Sequence, residues 1–258
     1  MRITVIGGTG HIGGYLVPRL VGAGHEVTVA TRGRRRWPDG PAWEKARGLS
    51  LPKEDPAAAL AETPADAVID IVQKFGSGVY QALRGRCRHF IWCGSLWMWG
   101  PPAAVPTLEL RAGTPLTDSY VPRMDELCRL REQCRADGLA FTAVMPPNLC
   151  GPGKVPLELA GGRDPAVHRA YARGEPIRLP RGCNTLIGPC DVADVAECFA
   201  LAAEKPRAAD GEFLNVGADY ALPAPRWADV FADIHGRPAP VEWIDRDRFE
   251  REVAPDAM

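Results

Sequence analysis

The chain has 258 residues and a formal net charge of -1, with 46% hydrophobic and 24% charged residues, ordinary values for a globular protein with room for one large domain, or one domain and a smaller lobe. Near-neutrality gives no electrostatic case for nucleic acid or an anionic membrane as partner, and no apolar run approaches the roughly 18 residues of a spanning helix. The eight cysteines contain no Cys-x-x-Cys pair; they are read as reduced, buried thiols of a cytoplasmic protein, with no metal site expected.

The opening MRITVIGGTG carries one basic residue and then polar glycines, so it is read as a strand over 3–6 and a glycine loop, not as a signal peptide. Over 11–21, Ile12, Leu16 and Leu20 recur every four residues and mark one helix face. Residues 26–30 are strand-like. A proline-rich, basic stretch fills 32–56, and a short helix is expected over 57–62. AVIDIV at 67–72 and HFIWC at 89–93 are buried-strand candidates, with a helix over 78–86 between them. A long helix over 122–137 and a strand over 141–145 follow. This alternation is the mark of βαβ units and a parallel sheet. Beyond residue 151 or so the pattern loosens. Short helices near 165–173, 192–204 and 226–235 alternate with strand-like pieces at 185–187 and 213–216, and there is no internal repeat.

ITVIGGTGHIGG at 3–14 sets Gly7, Gly10 and Gly13 as G-x-x-G-x-x-G directly after a strand and before a helix. Glycines there permit the tight turn and let the backbone approach a pyrophosphate, whose charge rests on the helix N-terminus. Thr9, His11 and Ile12 share this loop and are assigned with the glycines to cofactor contact, His11 as a contact and not a catalyst. The expected fold is α/β: a Rossmann-type doubly wound parallel sheet with a dinucleotide-binding domain over 1–150. A small C-terminal substrate lobe over 151–258 is interleaved with it.

The spacing, with Thr9-Gly10 inside it, resembles the extended and atypical short-chain dehydrogenase/reductases, which include the NAD-dependent nucleotide-sugar epimerases and dehydratases. Four further segments carry the resemblance. HFIWCGSLWMWG (89–100) looks like the family's fifth strand and serine-bearing loop. Met145-Pro146-Pro147-Asn148 with Gly151-Pro152-Gly153 looks like its R-P-x-x-x-x-G-P-G stretch. IGPCDVADVAECFALA (187–202) resembles its V-x-D-V-A helix start, and GEFLNVGADYAL (211–222) its N-V-G segment. The resemblance covers residues 2 to 235 or so, and it adds Ile71, Val72, Pro146 and Asn148 to the implied cofactor contacts.

The strand at 26–30 leads into Thr31-Arg32-Gly33. NAD-preferring relatives place a carboxylate here for the adenosine ribose, and a carboxylate would repel a 2′-phosphate. Thr31 lacks that charge, and the guanidinium of Arg32 binds phosphate as a fork. NADP(H) is therefore expected over NAD(H). A solvated basic loop is the plainer reading, and the preferred one for Arg34 and Arg35.

The resemblance implies a serine that orients substrate oxygen, a tyrosine that transfers a proton, and a lysine one helical turn later. Ser95 and Tyr120, 25 residues apart, occupy the first two positions. Met124 stands where the lysine is implied. Pro122 suits the first turn of a helix, so Tyr120 is expected to precede the helix, with Asp118 or Ser119 as cap and no face shared with Met124. Arg123 supplies a cation to Tyr120 or points into solvent. Tyr120 itself is a proton donor or a pocket-lining aromatic. Trp97 and Trp99 are assigned to a substrate pocket that suits a flat or apolar molecule; Trp92 is read as core.

The function expected is an NADP(H)-dependent reductase acting on a carbonyl of an apolar or aromatic small molecule, as a monomer or homodimer. The chain ends in a short lobe, leaving less protein to clamp a nucleotide sugar. The alternatives are a nucleotide-sugar epimerase or dehydratase with an unusual acid–base pair, and a catalytically silent dinucleotide-binding regulator.

Overall fold

The computed structural model of the chain describes residues 1–73, 76–100, 106–109, 115, 118–159, 162–183 and 185–253. In chain order its elements are β1 (Arg2–Ile6), α1 (His11–Gly22), β2 (Glu26–Thr31), α2 (Pro41–Lys45), β3 (Arg47–Ser50), α3 (Pro56–Ala61), β4 (Ala67–Asp70), α4 (Gly76–Leu83), β5 (His89–Cys93), α5 (Val121–Ala136) and β6 (Ala140–Met145). There follow β7 (Asn148–Cys150), α6 (Pro165–Ala172), β8 (Ile177–Pro180), β9 (Leu186–Ile187), β10 (Pro189–Asp191), α7 (Val192–Glu204), α8 (Pro206–Ala209), β11 (Phe213–Asn215), β12 (Leu222–Pro223), α9 (Ala224–His235), β13 (Val241–Ile244) and α10 (Arg246–Glu252).

The central sheet has seven strands in the order β11-β6-β5-β4-β1-β2-β3, and every pairing is parallel. This is the Rossmann-type arrangement. The order reverses at β1, so β2 and β4 flank it and the carboxyl ends of β1 and β4 open a crevice. Both faces are covered, which is why every residue of β4 and β5 is buried and only Asp70 and His89 break their apolar runs. On one face, Ile6, Val68, Phe90, Trp92 and Phe141 join Leu127 and Leu130 of α5 in one core. On the other, α1 packs on α7. The stripe Ile12, Leu16, Leu20 is buried, as its period demands.

The stretch at 32–56 holds two elements that its composition hides. α2 is anchored by buried Trp43, and β3 extends the sheet by pairing Thr28 with Arg47 through to Thr31 with Ser50. RGLS has no apolar alternation; backbone pairing at a sheet edge makes it a strand, and that partner is invisible locally.

The chain divides into two units, Met1–Pro147 with Cys190–Gly217, and Asn148–Pro189 with Ala218–Met258. The second is built on a parallel pair, β8 with β13, an antiparallel pair, β9 with β12, and a core of Tyr171, Ile177, Leu179, Ala224, Ala228 and Phe231. No disulfide links the eight cysteines. Burial pushes the thiols of Cys93 and Cys134 up to about 12, so they behave as core atoms. Among the described residues no helix is long and apolar enough to cross a membrane.

Candidate active site

The glycine loop runs from β1 into α1. Gly7 has φ +83, and a Cβ there would lie 2.5 Å from Val72 Cγ2. A Cβ on Gly10 would lie 3.1 Å from the Gly7 carbonyl oxygen, and one on Gly13 only 2.0 Å from the Gly8 oxygen. Gly7 and Gly13 thus need glycine for packing, with or without a ligand, and Gly10 is tightly placed. Gly10 is the N-cap of α1 and makes no side-chain capping hydrogen bond. The first turn of a twelve-residue helix therefore presents backbone N–H groups with no capping side chain over them, an anion site by geometry and dipole. Ile71 and Val72 follow β4 and pack on Gly7. The residues present fit a dinucleotide pyrophosphate.

Thr9 and His11 are half-buried in this loop and Ile12 is buried; the His11 ring meets Tyr15 edge-on at 6.0 Å. At the end of β2, the Thr31 hydroxyl accepts a hydrogen bond from Gly33 N–H at 3.2 Å, which shapes the turn and leaves no carboxylate there. Arg32 is half-buried, whereas Arg34 and Arg35 are exposed. Arg36 is engaged by Asp39 at 2.8 Å.

Ser95 follows β5, and its hydroxyl accepts from Trp97 N–H at 3.3 Å, capping a 3-10 turn over Leu96–Trp99. Leu96 N–H donates to the Pro146 carbonyl, so buried Pro146 braces this loop. Trp97 is half-buried, and its ring lies 6.1 Å from that of Tyr120. Trp99 is placed otherwise. It is 3% exposed, stacks on Phe213 at 5.6 Å, and its indole N–H donates to Asn215 Oδ1 at 2.9 Å. Trp99 is a core residue in this structure, as is Trp92. Asn148 starts β7 in the second unit and is half-buried.

Tyr120 precedes α5 as its N-cap, as expected, but the expectation that it shares no face with Met124 is corrected. It ends a 3-10 turn over Asp118–Tyr120 that runs straight into α5, and its own φ and ψ of -93° and -14° are helical. Tyr120 itself makes no side-chain capping hydrogen bond. Pro122 lies in the first turn, where the N–H it lacks would have had no partner, so it does not push Tyr120 out of the helical path. Tyr120 and Met124 pack on the same core, and Met124 is 8% exposed. The shared face does exist, and its second member is apolar.

Arg123 lies over the Tyr120 ring, with Cζ 5.2 Å from the centroid. Its Nη1 donates to Gln73 Oε1 at 3.3 Å, and Gln73 Nε2 donates to the Gly94 carbonyl at 2.9 Å. Asp70 ends β4 fully buried. Its Oδ1 accepts from Val72 N–H at 2.8 Å and Gln73 N–H at 3.3 Å. Its Oδ2, like the indole nitrogen of its register partner Trp92, finds no partner. Burial raises the Asp70 carboxyl to about 6. In the sequence Asp70 shows only as one acid in an apolar strand, which is itself a signal; Gln73 shows as nothing at all.

A family model described as NAD dependent epimerase/dehydratase family matches residues 3–87 and 79–217. No curated protein matches the chain. Solved structures with the same fold include UDP-glucose 4-epimerase of Thermus thermophilus in complex with NAD, 19% identical over 95% of this chain and 86% of that one, TM-score 0.73. UDP-glucose 4-epimerase of Thermotoga maritima with UDP-glucose is 18% identical over 97% and 92%, TM-score 0.74. UDP-N-acetylglucosamine 4-epimerase of Methanobrevibacter ruminantium is 18% identical over 95% and 85%, TM-score 0.75.

Proposed function

The chain belongs to the NAD dependent epimerase/dehydratase family, and on that premise we propose that it is an enzyme that oxidises and re-reduces a secondary alcohol carbon of a nucleotide sugar. The weight thus moves from the carbonyl reductase expected from sequence to the epimerase or dehydratase reading. One observation carries it. Gly7, Ile71 and Gly94 follow three parallel strands at one edge of the sheet, and Tyr120 meets the Ser95 loop there through Trp97.

A bound nicotinamide supplies the hydride acceptor and donor. The chain's own residues do the rest. The α1 N-terminus and glycine loop hold the pyrophosphate. Ser95 orients the substrate oxygen. The Tyr120 oxygen takes the hydroxyl proton as the carbon–oxygen bond becomes a carbonyl, and returns it on re-reduction. General acid–base help of this kind is worth roughly 10²–10⁴-fold. Thr31 and Arg32 favour a 2′-phosphate, so the preferred cofactor is NADP(H).

The test incubates the protein with UDP-glucose or UDP-N-acetylglucosamine and either dinucleotide, and resolves sugar products by chromatography. Conversion that disappears in Tyr120→Phe is expected. Firm dinucleotide binding with no conversion of either sugar would sink this reading. A second reading, an NADPH-dependent carbonyl reductase, is favoured by Thr31–Arg32 and by half-buried Trp97 beside Tyr120. It predicts NADPH oxidation with a panel of ketones and quinones.

A further inference from the structure

One helical turn beyond Tyr120 the side chain is the thioether of Met124, which carries neither charge nor proton. We propose that Arg123 supplies the positive charge for proton transfer at Tyr120, and that Gln73 is the positioning residue that latches it there. The inference rests on Tyr120 as the proton-transfer group.

Three observations support it. Arg123 sits within the 6 Å or so over which a cation is attracted to an aromatic face. An exposed arginine ordinarily samples many rotamers, but here Gln73 fixes one. Both ends of the Gln73 amide are used, and their polarity is forced, since a guanidinium only donates and a carbonyl only accepts. Gln73 is also the one non-glycine residue with positive φ among the described residues, at +59°. That conformation is uncommon for a side-chain-bearing residue. Asp70 holds it by accepting the Gln73 N–H, so the unusual backbone serves to aim the amide.

The other end of the latch is equally fixed. Gly94 N–H donates to the Val144 carbonyl at 2.7 Å, so the strand end that offers the Gly94 carbonyl is held in the sheet. Gln73 therefore ties the residue just before Ser95 to the residue lying on Tyr120. As the phenol gives up its proton, negative charge spreads into the ring. A cation on the ring face is attracted to that charged ring more than to the neutral one. Such differential attraction raises kcat and leaves KM little changed.

The test takes wild type, Arg123→Met, Arg123→Ala, Arg123→Lys, Gln73→Met, the double variant Gln73→Met/Arg123→Met, Lys74→Met and Tyr120→Phe, all checked for unchanged dinucleotide binding. Arg123→Met is expected to lower kcat by about tenfold with KM within about twofold. Arg123→Lys should retain most activity, and guanidinium in solution should restore Arg123→Ala. Gln73→Met should match Arg123→Met, and the double variant should be no worse than either. In nuclear magnetic resonance spectra of the protein without substrate, the Tyr120 ring signal, assigned by its loss in Tyr120→Phe, should move in Gln73→Met. Tyr120→Phe at full activity would end the proton-transfer reading itself. Tyr120→Phe inactive with Arg123→Met unimpaired would overturn the latch alone. So would a Tyr120 ring signal unmoved in Gln73→Met, even with no turnover from wild type. Lys74, which lies outside the described residues, is the control: a Lys74→Met loss that guanidinium does not restore, with Arg123→Met active, also overturns it.

Discussion

Gly13 and Gly14 are neighbours in the first turn of α1, yet one added methyl should act on them with opposite sign. At Gly13 the Cβ would lie 2.0 Å from the Gly8 oxygen and 2.4 Å from both its carbonyl carbon and its Cα. These are backbone atoms and cannot rotate away. Opening the closest gap to the roughly 3.5 Å of an ordinary contact moves loop or helix by about 1.5 Å, at an overpacking cost of about 1–3 kcal/mol. The same loop is the pyrophosphate cradle, and displacements near 1 Å cost on the order of 10²-fold where geometry matters. At Gly14 nothing lies within 4 Å of the added carbon and the residue is exposed, so alanine gains roughly 0.5–1 kcal/mol of helix stability. Thermal unfolding with and without NADP+ reads both effects, since 1 kcal/mol moves Tm by about 2–4 °C at this chain length. Ligand at 100 times its Kd adds about 2.7 kcal/mol. Gly14→Ala should raise Tm and keep the ligand shift; Gly13→Ala should lower Tm and lose the shift. A Gly13→Ala protein with the wild-type ligand shift would refute the placement of the pyrophosphate on this loop.

Thr31→Asp puts a carboxylate at the end of β2, and the NAD+ to NADP+ affinity ratio should rise by at least about tenfold; titration calorimetry with each nucleotide measures it. Trp99→Ala empties a core position and should cost about 3–5 kcal/mol in urea unfolding. Trp97→Ala should cost less than about 1.5 kcal/mol and appear instead in KM. Asp70 and His89 make opposed contributions to stability as pH changes. Burial raises Asp70 from 3.8 to about 6, so its favourable contribution is complete below pH 3.8 and is lost as pH rises through 6. Burial lowers His89 from 6.5 to about 4, so its contribution is complete above pH 6.5 and is lost as pH falls through 4. Each is worth roughly 3 kcal/mol, and between pH 4 and 6.5 they offset one another. Urea unfolding across that window should show Asp70→Asn losing stability toward acid and His89→Gln gaining it; parallel curves for the two variants would contradict both assignments.

The sheet was legible wherever local chemistry and tertiary packing ask for the same residues. HFIWC is apolar after His89 because β5 is covered on both faces, and in VADVAECFALAAE the buried Val192, Val195, Ala196 and Phe199 keep the helical period that packs α7 on α1. Legibility failed where a partner strand creates the element. β3, β8 and β13 are four residues each, and IRLP becomes a strand only because residues 241–244 lie beside it. At Pro122 the expected helix start holds, and Tyr120 nonetheless keeps helical dihedrals into it. A first helical turn has no use for the N–H that proline lacks, so the proline leaves the residues before it free to run into the helix.

The two halves of the site differ in the same manner. The proposed pyrophosphate site is backbone within a dozen consecutive residues, so its requirements are written as spacing: Gly7 and Gly13 are forced by contacts within or against that loop, and Gly10 is tight. The proposed proton-transfer site is held by residues from two strand ends and a helix, and sequence separation carries none of that. Arg123 and Gln73 are 50 residues apart; Gln73 and Gly94 are 21 apart. Trp97 and Trp99 stand two apart in one loop, yet one lies on Tyr120 and the other is sealed in the core by Asn215, 116 residues away. Residue type could nominate both tryptophans. The 3-10 turn capped by Ser95 separates them, because at three residues per turn side chains two apart point in different directions. On the proposed mechanism the chemistry of Tyr120 would depend on Arg123 and Gln73, neither of which a motif contains. A search for the lysine one turn later finds Met124 and misses the cation stacked on the ring.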